Sequence, residues 1–382
     1  MKKVSKILAG IIIVLAILVV AAKISGNGYL VKGVWASYLH GNNSATISDA
    51  KFFDTHKIET GTSHWDWPIH SSYNKTELPA KLKEILARTE SVAFLIIKDD
   101  SIINEHYWDG YSDSSQSNSF SMAKSVTTML AEIAIQKGAL KDWHQKVKTI
   151  LPDLKGPYAD RLELWHLSTM SSGLDWDEAY KDPFTVTAKA YYGEDINTLM
   201  SSLSIIDQPG EVFNYQSGST QMLAMCVMKA TGKPLADLAS EWLWKPLQAE
   251  HAAQWHTDAK GTELAYCCFN TNARDFARFG RLMLHSGNWN GTQILDSSFV
   301  QMATSPALAP YYGYSFWLDD SHGTKVFAQR GILGQYIITI PEYHLVIVRL
   351  GNHCLPQINH HTEDFLVIVE QVLAMFKSQK NA

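Results

Sequence analysis

The 382 residues, 46% of them hydrophobic, suffice for a large buried core in one big domain or two interleaved layers. A net charge of −5 and a pI near 6.3 leave no electrostatic footprint for nucleic acid. Twelve Trp, sixteen Tyr and fourteen Phe suit a cleft with aromatic walls or a densely packed core equally well.

The N-terminus carries the clearest regional signal. A basic segment (1–6, with Lys2, Lys3 and Lys6) precedes an uncharged run over 7–22. That run is long for a signal-peptide core and slightly short of the ~20 residues that span a bilayer untilted. The lysines would stay cytoplasmic, so the rest of the chain is expected outside the cytoplasm. We read 7–22 as an uncleaved anchor, with cleavage near Val20-Ala21-Ala22 and secretion as the alternative. No cysteine follows the run, which excludes a lipoprotein anchor. The four cysteines, Cys226, Cys267, Cys268 and Cys354, match no zinc spacing and are read as small buried hydrophobes. The adjacent pair Cys267 and Cys268 is not expected to bridge without strain.

Residues 23–75 have no sustained period and read as an irregular linker or strap, with Trp65-Asp66-Trp67-Pro68 lying over the main body or walling a cleft. A single large domain is expected over 76–378. It starts with a helix capped by Thr76, with Leu78, Leu82, Ile85 and Leu86 on one face. Ser91 to Tyr107 reads as a β-hairpin turning at Lys98-Asp99-Asp100-Ser101. A serine-rich loop then leads into a helix from Ser121 to about Gly138. Its apolar positions nearly encircle it, so it should be central and buried.

The stretch from about 140 to 305 reads as mainly helical, with helices over 162–170, 219–231, 235–244 and 272–285. After Pro306 short strands are expected over 313–318, 324–329, 335–340 and 344–350, then a helix over 362–376. Strands near both ends enclosing a helical insertion imply an α+β fold. One antiparallel sheet is built from both ends of the chain and flanked by helices, with an inserted, mainly helical lobe. Catalytic groups belong in the cleft between sheet and lobe.

The candidate chemistry is Ser121 with Lys124. Three residues apart on a helix, the two side chains share a face. A serine hydroxyl needs a base, and a desolvated lysine can be one. Two other Ser-x-x-Lys strings, Ser48 to Lys51 and Ser72 to Lys75, lie in irregular segments where nothing aligns the pair. No Gly-x-Ser-x-Gly elbow and no phosphate-cradling Gly-x-x-x-x-Gly-Lys is present. His360-His361 with Glu363 and Asp364 is explained by Thr362 capping a helix with acids in its first turn, so no metal is expected.

Ser121-Met122-Ala123-Lys124-Ser125-Val126-Thr127 resembles the first motif of the serine β-lactamase and penicillin-recognising superfamily. The resemblance is closest to its branch of class C β-lactamases, esterases and 6-aminohexanoate-dimer hydrolase. Leu167 to Leu174, Pro209 to Gly218, Ala277 to Leu282 and Gly331-Ile332-Leu333-Gly334-Gln335 resemble further family segments in the same order. The resemblance implies Ser121 as nucleophile, Lys124 as base and Tyr215 as proton relay. It implies the backbone N–H groups of Ser121 and Ile332 as oxyanion hole, and no cofactor. Ser217 takes an Asn/Ser position that would bond Lys124 or substrate, while Glu178 and Tyr180 would border the cleft.

The third motif departs from the family: Gln329-Arg330-Gly331 stands where Lys or His, any residue, then Gly is usual. Arg330 could supply the missing charge only by facing inward. The expected function is a serine hydrolase cleaving a small-molecule ester, amide or peptide through an acyl-enzyme. The alternatives are a β-lactamase or D-amino-acid peptidase, or a non-catalytic ligand sensor.

Overall fold

The computed structural model describes residues 2–180 and 182–377. Met1 of the expected basic segment and Ser378, the last residue of the expected domain, lie outside them. The chain begins with α1 (Lys2–Ile24), α2 (Gly28–Ala36), β1 (Asp54–Ile58) and α3 (Ala80–Arg88). The hairpin β2 (Ser91–Lys98) and β3 (Ser101–Tyr107) comes next, then β4 (Ser117–Asn118) and α4 (Met122–Gln136). The middle supplies α5 (Leu164–Ser168), α6 (Val186–Tyr192), α7 (Ser217–Thr231), β5 (Ala253–Thr257), β6 (Phe269–Thr271) and α8 (Ala273–Leu284). The chain closes with β7 (Trp317–Asp319), β8 (Val326–Gly331), β9 (Gln335–Ile340), β10 (Leu345–Gly351) and α9 (Glu363–Lys377).

Both ends of the chain build the main sheet, a six-stranded antiparallel array in the order β3-β2-β10-β9-β8-β7. Its central strand is apolar at almost every position because both faces are covered. Leu345 and Ile347 join the core beneath α3 and α9, while Val346, Val348 and Leu350 face the core around α4 and α8. The β2–β3 turn obeys its sequence: Asp99 and Asp100 both sit at positive φ (48° and 61°), the geometry of a tight two-residue hairpin. Arg281 on α8 and His285, its C-cap, each reach the Asp100 carboxylate at 2.8 Å, tying the hairpin to that helix.

Several expectations change. The first domain helix starts at Ala80, not after Thr76, because Pro79 occupies its N-cap and the Thr76 carbonyl accepts from Asn104. The 162–170 helix shrinks to α5, and 235–244 divides into an α turn and a π turn. Most of 313–318 is not strand: Ser315 adopts φ 62° and its carbonyl and hydroxyl accept from Ser125 and Thr128 of α4. A second sheet escaped period counting, β1-β5-β6-β4, with β5 and β6 from the lobe and β1 and β4 from the chain before it. Its strands are only two to five residues long, and β5 is buried at four of five positions, so no alternation appears.

Residues 23–75 are likewise structured. The helix α2 packs on α6, with Ser37 hydrogen bonded to the Tyr192 hydroxyl at 3.0 Å and Lys32 Nζ 4.3 Å above the Phe53 ring. Trp65 and Trp67 lie over α8: the Trp67 indole donates to the Arg274 carbonyl, and Arg281 stacks 4.6 Å from a Trp65 ring. The Trp65-Asp66-Trp67-Pro68 cluster is therefore a strap over the body. Ahead of it, α1 is apolar and exposed along its length, and 3–24 is long enough to cross a membrane.

Candidate active site

Ser121 is the N-cap of α4, yet its hydroxyl caps no backbone N–H. It accepts instead from Lys124 Nζ at 2.8 Å. The lysine is 1% exposed, its Nζ also donates to the Tyr266 carbonyl at 3.1 Å, and no carboxylate pairs with it among the described residues. Burial pulls its pKa down to about 8, against a smaller upward pull from Glu178. The rest of the motif holds the helix in place. Ser125 donates to the Ser315 carbonyl, Thr127 to the Ala265 carbonyl, and Thr128 bonds Ser168 and Ser315.

Before the serine, Phe120 sits at φ 44°, a left-handed conformation that costs a non-glycine residue on the order of 1 kcal/mol. Its N–H donates to the Asn118 side chain, which holds the turn. The N–H of Ser121 and that of Ile332 have no acceptor among the described residues. Gly331 brings the second one near the first. A Cβ there would stand 2.3 Å from the Ser119 carbonyl oxygen and 3.1 Å from Phe120 Cβ, so only glycine lets β8 approach this closely. The next turn is locked from behind. Leu333 and Gly334 have φ 63° and 81°, and Arg349 donates to both their carbonyls at 2.8 and 2.7 Å. The Gln335 amide bonds both Ile332 and Gly351. The Gly331-to-Gln335 turn is thus held by the Arg349 and Gln335 side chains.

Tyr215 comes from the loop before α7. Asn214 N–H donates to the Met170 carbonyl, and Ser172 bonds Gln216 and Ser219, so the 167–174 segment sets this loop. The Tyr215 ring lies 4.9 Å from Lys124 Nζ. Burial raises its pKa, and the nearby Ser121 hydroxyl draws it partly back. Ser217 does not bond Lys124. Its N–H and hydroxyl both donate to the Glu178 carboxylate at 2.6 Å, which also accepts from the Trp176 indole and from the Tyr180 hydroxyl. Glu178 is thereby spent on buttressing the start of α7, and Tyr180 reaches the site through it.

Strand alternation separates Gln329 from Arg330. Gln329 shares its face with Gly331, toward α4; it is 2% exposed, and its side-chain oxygen has no partner among the described residues. Arg330 points to the opposite face. Its guanidinium lies over Trp317 and Phe365 (4.5 and 5.2 Å) and bonds the His360 carbonyl and His361 Nδ1. The inward-facing Arg330 that could replace the missing charge is therefore corrected: this cation is committed elsewhere. Thr362 bonds the Tyr336 hydroxyl, and Asp364 accepts from Tyr336 and the Leu355 N–H.

Two neighbours escaped sequence reasoning. Cys267 and Cys268 form a disulfide despite being adjacent, in a turn where Cys268 has φ 70°. Cys354 is exposed rather than buried, and Cys226 alone fits the reading of a free buried thiol. Tyr266, next to the bridge, gives its carbonyl to Lys124, while its own buried hydroxyl has no partner among the described residues. Nothing in its spacing marks it; a buried lysine without an acid was the only hint that some backbone carbonyl must serve it.

An antiparallel sheet from both chain ends, helices on each face and a serine opening the central helix define the serine β-lactamase-like class. The β-lactamase family model matches residues 78–363, and the chain belongs to that family. It is 26% identical over 310 residues to the 6-aminohexanoate-dimer hydrolase of Paenarthrobacter ureafaciens, covering 75% of this chain and 78% of that one. A Bacillus anthracis structure described as a candidate 6-aminohexanoate-dimer hydrolase superposes with a TM-score of 0.76 at 23% identity, covering 88% and 94% of the two chains. EstCE1, a hydrolase with promiscuous acyltransferase activity, superposes with a TM-score of 0.59 at 16% identity, over 76% of this chain and 98% of its own.

Proposed function

We propose that this protein is a serine hydrolase that cleaves a small-molecule ester or amide through an acyl-enzyme on Ser121. The observation that carries the reading is the 2.8 Å contact between Ser121 Oγ and a buried Lys124 whose pKa is drawn down to about 8. Neutral Lys124 takes the hydroxyl proton as Oγ bonds the substrate carbonyl carbon. The N–H groups of Ser121 and Ile332 hold the resulting oxyanion. When the tetrahedral adduct collapses, the carbonyl reforms and the C–O or C–N bond breaks. The leaving group takes a proton from Tyr215, which regains one from Lys124. A raised pKa keeps Tyr215 a neutral phenol, suited to handing on a proton rather than storing a charge. Water then attacks the acyl carbon by the same route and frees Ser121.

The kinship to 6-aminohexanoate-dimer hydrolase and the fold shared with EstCE1 support amide or ester substrates. Among the described residues no cation stands at Gln329, and Arg330 faces away, which disfavours a β-lactam or D-peptide whose carboxylate needs a partner. Gln329, buried with an unspent oxygen, is the candidate substrate contact on that strand. The α1 helix is read as an anchor that leaves this domain outside the cytoplasm, or as a signal whose removal secretes it.

The test is adduct mass after treatment with a fluorophosphonate and with labelled penicillin, on wild type and Ser121→Ala. A fluorophosphonate adduct on wild type alone is expected. Absence of any adduct overturns the hydrolase reading, and a stable penicillin adduct would turn it toward a penicillin-binding role.

A further inference from the structure

Ser121 opens into a cavity of about 190 Å³ that the family-matched domain does not wall by itself. Its inner end is Ser121, Tyr266 and Ile332; its outer wall is Leu30 and Val34 of α2, facing Ala188 and Tyr192 of α6. The lining is mostly apolar, and α2 lies outside the segment that the family model matches. The outward side of the same wall is apolar as well. Val34, Leu39 and Phe184 are 48%, 71% and 68% exposed, and Trp35 and Tyr38 at the same end of α2 are exposed too. Only Ser25, Gly26 and Asn27 separate α2 from α1, and the two helices touch. Isolated exposed apolar residues are ordinary, but several of them between a membrane-length helix and the mouth of a reactive serine are not.

We infer that the substrate is an amphiphile, an ester or amide whose apolar arm enters the α2–α6 pocket from the membrane interface. The inference rests on the serine-hydrolase reading above. Apolar walls reward each methylene removed from water. Gly33 belongs to the same design, since a Cβ there would press to 3.3 Å from the Tyr192 ring that forms the opposite wall.

The full chain, in detergent micelles, is assayed on p-nitrophenyl acetate, butyrate and octanoate. Burial of the longer acyl arm is expected to raise kcat/KM roughly threefold per methylene at first and at least tenfold from acetate to octanoate. Ala188→Trp, filling the pocket, should lower the octanoate-to-acetate ratio of kcat/KM at least tenfold. Should that variant not fold, Val34→Asp, at an exposed position on the mouth, should move the ratio the same way. A flat or falling chain-length series, or a ratio that neither variant moves, overturns the inference while leaving the hydrolase reading standing. No turnover of any ester together with no fluorophosphonate adduct takes down the acyl-enzyme reading and this inference with it.

Discussion

Gly331 on β8 lies against the Ser119 carbonyl so closely that a Cβ at that position would come within 2.3 Å of the oxygen. That approach brings the end of β8, just before Ile332, against the turn just before Ser121. Gly331→Ala must push the strand or the Ser119 turn away. We expect kcat/KM on a short ester to fall about 100-fold, the scale of losing one oxyanion donor. Urea unfolding should show a loss of about 1–3 kcal/mol from overpacking.

On the proposed mechanism Lys124 should set the pH profile. With a pKa near 8, the neutral base accumulates as pH rises, so kcat/KM should climb through about pH 8 and level off above it. A profile flat from pH 6 to 9 would place the base elsewhere.

The same burial costs stability. A lysine lowered from 10.5 to about 8 in the folded state makes the unfolded chain hold more protons between those values. The penalty is therefore full below pH 8 and disappears above about 10.5. Lys124→Met should abolish turnover yet stabilise the fold by up to about 3 kcal/mol at pH 7. The advantage should vanish in unfolding curves recorded near pH 10.5.

Arg330 is a structural cation here, stacked on Trp317 and bonded to His361. Arg330→Met should keep kcat/KM on short esters within roughly threefold, less than a 1.4 kcal/mol effect. It should lower stability by about 1–2 kcal/mol through lost hydrogen bonds. Gln329→Ala, on the opposite face, should instead raise KM.

The Cys267–Cys268 bridge shapes the turn whose first carbonyl, that of Tyr266, holds Lys124 Nζ. Reduction, or the double change Cys267→Ser with Cys268→Ser, should slow turnover roughly tenfold by letting the base drift from Ser121. Cys354→Ser, at an exposed free thiol, is the control that leaves the rate unchanged.

Local chemistry settled much of this in advance. Three residues of helix put Ser121 and Lys124 on one face, and the encircling apolar positions of α4 required its burial from Met122 to Ala134. The β2–β3 hairpin and the two-sided apolar strand β10 were legible for the same reason, because their signals lie within a few residues. Features built by contacts between distant segments were not legible. Residues 28–58 gave no period, since short elements buried against α6 and β5 need none. The acceptor for Lys124 is a backbone carbonyl, which every residue possesses, so nothing in Tyr266 announced it. Arg330 and Gln329 are neighbours in the chain, and only the packing of α9 on one face of the sheet and α4 on the other decided which lies on the α4 side. The proposed nucleophile and base are thus properties of one helical turn. The proposed oxyanion hole, the wall of the cavity and the turning away of Arg330 are properties of how that turn is surrounded.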